Sequence, residues 1–442
     1  MNKKLSFLLF VLASAMFFAQ TNIYVSTTGN DATGNGSIAA PYATIAKAAD
    51  IANTNIIANP TTAVNILVRG GVYRNSGFTT NNPLDANSYD PQNAGEAIWK
   101  QSNTTGTAVR INNVNGNANA WITIKPYSGE QVTIEGDGDT TFSIRSSSYI
   151  KVEGFEIKGV LEKIPALLAW KYWGTYRYLN NGSYVYGDRK NDICTQYNIS
   201  PCTDIPPNIF TTGNTYNNLP NINSLNVERP SIFGGKGLLI QLSHHIDVTN
   251  NEIHHFPGGG FRVTQSDFVN FTKNKVHHNT SRASVGTHGV VAEGLSAQSG
   301  DNSATRKLTI SENLIYSNYN EIYSWVQSKT IVTTAIDEGK GLALLRTSPT
   351  MSNFNGIIRV ENNIAYDNGK SGIHTNDVDN AEIINNTVYN NGHTNIYNAD
   401  ISAGPSAGIS IQSSNNIKII NNISVVKSGL NPPLQALSEG QN

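Results

Sequence analysis

Short apolar runs and polar corners recur along this chain in one repeated phrase. It reads Ile246-Asp-Val-Thr-Asn-Asn251-Glu-Ile253, then Val269-Asn-Phe-Thr-Lys-Asn274-Lys-Val276. It returns as Leu308-Thr-Ile-Ser-Glu-Asn313-Leu-Ile315 and Ile358-Arg-Val-Glu-Asn-Asn363-Ile-Ala365, and again around Asn386 and Asn422. Apolar and polar residues alternating over so few positions predict a half-buried strand, a corner and another strand. An earlier strand opens each unit on a glycine: Gly237, Gly260, Gly289, Gly341, Gly372 and Gly408. Four of these six glycines precede their corner Asn by 14 residues, and Gly289 and Gly341 by 24 and 22. The segment from Thr141 to Phe155 is a degenerate copy with the shorter spacing. Three short strands in a coil of about 23 residues predict an all-β, right-handed parallel β-helix, whose coils bury their inner side chains by stacking. Four-stranded propeller blades do not fit the 14-residue spacing. The corner Asn is expected to take left-handed backbone angles and to bond the next Asn up the stack.

The regular coils occupy 236–427. Ahead of them, 21–160 holds the first coils, with an Ala-rich helix predicted over 46–58 to cap the open end and an apolar strand over 63–72. Residues 161–235 interrupt the repeat as a long insertion rich in aromatics, and 428–442 form a tail with no strand pattern. Residues 1–20 read as a signal peptide, with two lysines ahead of an apolar run too short to span a bilayer. The expectation is a secreted, extracellular or periplasmic protein with no membrane span. In that setting Cys194 and Cys202 are expected to pair, free thiols being the alternative.

Composition sharpens this picture. The chain has 58 Asn against 31 Lys and Arg together, and 14% charged residues with a net charge of −1. That balance argues against a nucleic-acid binder relying on a basic field, and against disorder. With so few charges, their placement matters. In each Gly-opened strand the first and third residues after glycine are apolar and point inward, so the second and fourth point out. Arg262, Glu293, His374 and Asn376 then share one outward face across four successive coils. His288 and Lys340 precede opening glycines, Asp337-Glu338 lies at the edge, and Arg346 ends its strand. Inserted loops beside a flat strand face predict a groove for an extended polymer. Trp170 and Trp173 in the insertion either stack on sugar rings or pack against the β-helix. The pairs His244-His245, His254-His255 and His277-His278 suggest metal ligands, but repeat-derived surface ladders explain them better.

The stretch from Ile310 to Gly392 resembles polysaccharide lyase family 9, the calcium-dependent pectate lyases. The residues that carry the resemblance are Asp337-Glu-Gly-Lys-Gly-Leu-Ala-Leu344, Asn363-Ile-Ala-Tyr-Asp-Asn-Gly369, Gly372-Ile-His-Thr-Asn376 and Asn385-Asn-Thr-Val-Tyr-Asn-Asn-Gly392. The opening segments Ile23-Tyr-Val-Ser-Thr-Thr-Gly-Asn-Asp31 and Pro41-Tyr-Ala-Thr-Ile-Ala-Lys-Ala48 resemble those of secreted carbohydrate-active β-helix proteins. The resemblance implies β-elimination on a pectate-like, uronic-acid-containing polysaccharide. It departs at the base, since the family's catalytic Lys falls on Ala343. Its calcium-binding acidic cluster falls near Asn320-Glu321, where Glu321 alone keeps a charge.

β-Elimination needs a base for the proton beside the uronate carboxylate, a cation to neutralise that carboxylate, and a proton for the leaving oxygen. Lys340 or His288 are the expected bases and Arg262 the neutraliser, with Glu293 and His374 in the same catalytic group. Asn376, Arg346, Trp170 and Trp173 are expected to bind substrate. Calcium is a candidate ion, with Asp337, Glu338 and Glu321 as its ligands. Two alternatives stand beside the lyase. One is a glycoside hydrolase using Glu293 with Asp337 or Glu338, and the other is a non-catalytic glycan-binding β-helix, favoured by Ala343. The expected partner is an acidic polysaccharide and the expected state a monomer.

Overall fold

The computed structural model describes residues 20–85, 106–166, 168–169, 179–180, 183–184, 231–283, 287–322, 338–348, 351–352, 354–392, 407–426 and 433–437. The expected disulfide, Trp170, Trp173, Asp337 and nearly all of the signal segment lie outside these residues.

Three parallel sheets of 10, 9 and 9 strands run along the stack. A regular coil takes one strand from each, as in Lys236–Gln241, His244–Thr249 and Glu252–His254. We call these the second, first and third sheets. Each strand pairs in parallel with its counterpart one coil away. The protein is a right-handed parallel β-helix, the hand that parallel crossovers adopt. Its core is a column of inward Ile, Val, Leu and Phe, among them Ile246, Val269, Leu308, Ile358 and Ala381 stacked in one register.

The asparagine corner is realised with one change of role. Asn251, Asn274, Asn313, Asn363 and Asn386 are each at most 2% exposed, so their amides have to be bonded internally. Each backbone N–H donates to the side-chain oxygen of the next Asn, at 2.8–3.0 Å, as far as Asn422. The left-handed backbone falls on the residue before each corner: Asn250, Lys273, Glu312, Asn362, Asn385 and Asn421 have φ of 53–58°. The Asn is therefore selected for its amide and its neighbour bears the turn, which is why Lys and Glu are tolerated there.

A second ladder links Asn279, Asn318, Asn368 and Asn391 after the third-sheet strands. It also explains the opening glycines. A Cβ on Gly289, Gly341 or Gly372 would lie 2.6–2.7 Å from the amide nitrogen of Asn318, Asn368 or Asn391. Only glycine leaves room for that amide.

At the N-terminal end the predicted helix forms over Ile45–Ala58, and Thr44 caps it by accepting the Lys47 N–H. Ala48, Ala49 and Ala52 are fully buried within the same core as the first strands. The 63–72 strand is split into Ala63–Val68, in the first sheet, and Gly71–Arg74, in the third. The tail differs from its expectation: Leu434–Leu437 is a strand of the second sheet, with Leu434 in register with Ile409. Its Leu-Gln-Ala-Leu has the period of two, too brief to stand out in sequence.

Candidate functional site

The outward positions of the second sheet follow the expected register. Leu239, Arg262, Val291, Ala343, His374 and Ser410 pair in sequence up the stack. The next outward row runs Gln241, Thr264, Glu293, Leu345, Asn376 and Gln412. The flat open groove is not found along the first row, where Val291, Ala343, His374 and Ser410 are at most 3% exposed. The second row is partly exposed, so a polymer can approach there.

Two groups of polar residues occupy this face. At the more open side Glu293 lies between two guanidinium groups, ion-paired with Arg262 and 3.4 Å from Arg346 Nη1. The Arg346 side chain is 63% exposed and available to a ligand. Glu293 thereby ties Arg262 and Arg346 together, which suits it to positioning the two guanidinium groups.

The inner group is His288, Glu338, Lys340, His374, Ser371 and Ser410. The backbone puts His288, Lys340 and Ser371 in neighbouring coils, because the Gly289 N–H donates to Lys340 O and the Gly341 N–H to Ser371 O. His288 is 2% exposed. Its Nδ1 accepts the Lys340 N–H at 3.3 Å, and its Nε2 lies 3.2 Å from Glu338 Oε2. A carboxylate oxygen only accepts, so the proton of neutral His288 sits on Nε2. Both nitrogens are thereby engaged, which removes His288 from the expected role of base. Lys340 Nζ is 3.7 Å from the same Glu338 oxygen.

His374 is arranged differently. Its Nδ1 lies 2.8 Å from Ser410 Oγ, which donates in turn to Ser371 Oγ at 2.8 Å. Ser410 uses its hydrogen on Ser371 and so accepts from His374 Nδ1–H, leaving Nε2 as the basic nitrogen. Burial holds His374 well below the usual histidine range, and the positive charge of Lys340 lowers it further. The same two causes, burial first, hold His288 well below that range, with His374 and Arg262 adding to the effect. Lys340 thus sets a positive charge beside a neutral imidazole, with Glu338 as its counter-ion. Sequence reasoning found His374 but missed Ser371 and Ser410, although Ser410 stood in the same outward row.

The expected calcium ligands that are described have cationic partners. Glu321 is ion-paired with Arg282, and burial raises its carboxyl pKa. Glu338 faces His288 and Lys340. This donor set does not fit a calcium cage of several convergent oxygens, so no chemical step is routed through calcium.

The histidine pairs lie on other faces. His245 stacks between Tyr149 and Phe268 on the first sheet, with centroids at 4.4 and 4.6 Å. On the third sheet His254, His277, Tyr316, Tyr366 and Tyr389 share one register row. Their rings stack at 4.6–5.0 Å. The ladders expected from the repeat are there. Among the described residues no helix is long and apolar enough to cross a membrane.

No known family description matches this chain, and no curated protein does. Solved structures with a similar chain path include an alginate lyase from Paenibacillus sp. str. FPU-7, at 11% identity over 89% of this chain and 96% of that one, with a TM-score of 0.36. The A-module of the Azotobacter vinelandii mannuronan C-5 epimerase AlgE4 is similar at 11% identity, over 90% and 95% of the two chains, with a TM-score of 0.34. XylC in complex with xylose is similar at 12% identity, over 95% and 67%, with a TM-score of 0.40. At these levels the function has to be argued from the chain's own residues.

Proposed function

We propose that this protein is an exported, carbohydrate-active enzyme: a polysaccharide lyase that cleaves a uronic-acid-containing polymer by β-elimination. The observation that carries the reading is the neutral His374, held with Nε2 basic by Ser410 and Ser371 inside the positive field of Lys340. A base that stays unprotonated beside a cation is what removal of a proton next to a carboxylate needs. In this mechanism the sugar enters from the second row and displaces the cover over His374, which is 3% exposed, so that His374 Nε2 takes the C5 proton of the uronate. Lys340 neutralises the carboxylate as charge builds on it. The C4–O bond breaks, a C4=C5 double bond forms, and the leaving oxygen takes a proton from solvent. Arg262, Arg346 and Asn376 hold neighbouring sugars along the more open row, and Glu293 fixes the two guanidinium groups.

The hydrolase alternative needs two carboxyls free to flank one glycosidic bond, whereas Glu293 is held by Arg262 and Arg346, and Glu338 faces His288 and Lys340. The deciding experiment incubates the purified protein with pectates, alginates and glycosaminoglycans, with and without a calcium chelator. Ultraviolet-absorbing unsaturated products are expected from at least one uronic polymer. Reducing ends without that absorbance would replace the lyase by a hydrolase. Binding without either product would leave a glycan-binding β-helix.

A further inference from the structure

Histidines 254, 255, 277 and 278 stand as two pairs in successive coils of the third sheet, apart from the second-sheet face described above. The second member of each pair has a left-handed backbone, with φ of 57° at His255 and 52° at His278. That turn brings adjacent side chains to the same side, where successive strand residues would point apart. The rings of His254 and His277 stack at 5.0 Å and those of His255 and His278 at 5.2 Å.

The hydrogen positions at the lower pair are set by its neighbours. His254 Nε2 lies 3.2 Å from Glu156 Oε1, and His255 Nε2 lies 3.2 Å from Glu162 Oε1. Carboxylates only accept, so both neutral rings carry their hydrogen on Nε2. Each then turns a lone pair from Nδ1, and these two nitrogens face each other at 2.6 Å. Two facing lone pairs repel unless a cation lies between them. A metal ion would relieve that repulsion, and a third ligand is at hand: one nitrogen each of His254, His255 and His277 lie within 4.8 Å of one another. The outer nitrogens of His254 and His255 are oriented by Glu156 and Glu162, and that of His277 by Glu252 at 3.1 Å. Carboxylate–histidine–metal relays are built this way, with the second partner fixing the tautomer.

We propose that His254, His255 and His277 form a binding site for an imidazole-seeking divalent transition metal of the zinc class. Three imidazoles select Zn2+, Cu2+ or Ni2+ over the oxygen-seeking Ca2+ and Mg2+. The site requires the inner nitrogens to move apart to admit the ion, which the exposed side of His255 and Glu162 permits.

The test is calorimetric titration of chelator-stripped, untagged full-length protein with Zn2+ and, separately, Ca2+. One equivalent of Zn2+ is expected to bind, with no competition from Ca2+. His254→Gln and His277→Gln should each weaken it by at least about tenfold, and Glu162→Gln, which leaves the rings in place, by roughly tenfold. His245→Gln, in a pair on another sheet, should leave it unchanged. Imidazole nitrogen resonances of the unsubstituted protein give a readout that no folding defect can mimic. Zn2+ should shift those of His254, His255 and His277 and leave His288 and His374 in place. Absence of Zn2+ binding, equal binding by the His254→Gln variant, or shifts confined to other histidines would overturn the site. A proton shared by the two rings would then be the explanation of their approach.

Discussion

His374 owes its basic nitrogen to two serines, Ser371 in its own coil and Ser410 in the next. Ser410 receives the Nδ1 hydrogen and passes its own to Ser371, so Nε2 is left to act on substrate. His374→Gln keeps a polar side chain of similar length but has no basic nitrogen. It is expected to lower kcat by at least about 100-fold, with KM little changed, in the unsaturated-product assay. The pH dependence follows from the direction of the shift. Because burial and Lys340 hold His374 well below the ordinary value near 6.5, it remains neutral as pH falls through 6.5. The acid limb of kcat is therefore expected well below pH 6.5, and an acid limb at 6.5 would remove His374 as the base. The same shift contributes stability that is present above pH 6.5 and lost as pH falls through the lower native value. The sequence placed Lys340 and His374 in one neighbourhood through the register of the glycines. It did not separate His374 from His288, since a backbone N–H from Lys340 and a carboxylate from Glu338 decide between them. Those partners are visible only when the coils are stacked.

The asparagine corner shows how a single element can be specified by two neighbouring residues with separate duties. Asn313 receives the Asn274 N–H and sends its own amide hydrogens to Phe271 O and Asn363 Oδ1. Asn313→Ala would leave buried donors and acceptors unmet on both sides. A loss of at least about 2 kcal/mol is expected from urea unfolding at constant m-value. Replacing Glu312, which bears the turn, by Asn should cost little, as Asn already serves there at 250, 362, 385 and 421. The spacing made both the strands and the corners legible in advance, because a period of two and a fixed turn are local signals. Which corner residue bends was not legible, since Asn is a plausible occupant of either place. The second ladder was equally hidden as a cause. Nothing in the sequence says that Gly289 is glycine for the sake of Asn318.

Across the whole molecule, the three outward faces have been put to different uses. The second sheet sets Arg262, Glu293 and His374 close together, the first carries rows of ion pairs such as Arg359 with Glu361 and Glu382, and the third presents rings. Rigid stacking keeps each face in register over many coils, because every coil is held by its immediate neighbours. The ring ladder has an optical consequence. Tyr316, Tyr366 and Tyr389 lie nearly coplanar in orientation, at 8° and 2°, with centroids 4.9 and 4.8 Å apart. Chromophores so close and so aligned share their excitation, so the three phenols should absorb as a coupled array with a pronounced near-ultraviolet circular dichroism band. Tyr366→Leu, which interrupts the array at its middle, should remove more of that signal than the one-third expected of three independent rings. The band would then report on the spacing of the coils themselves.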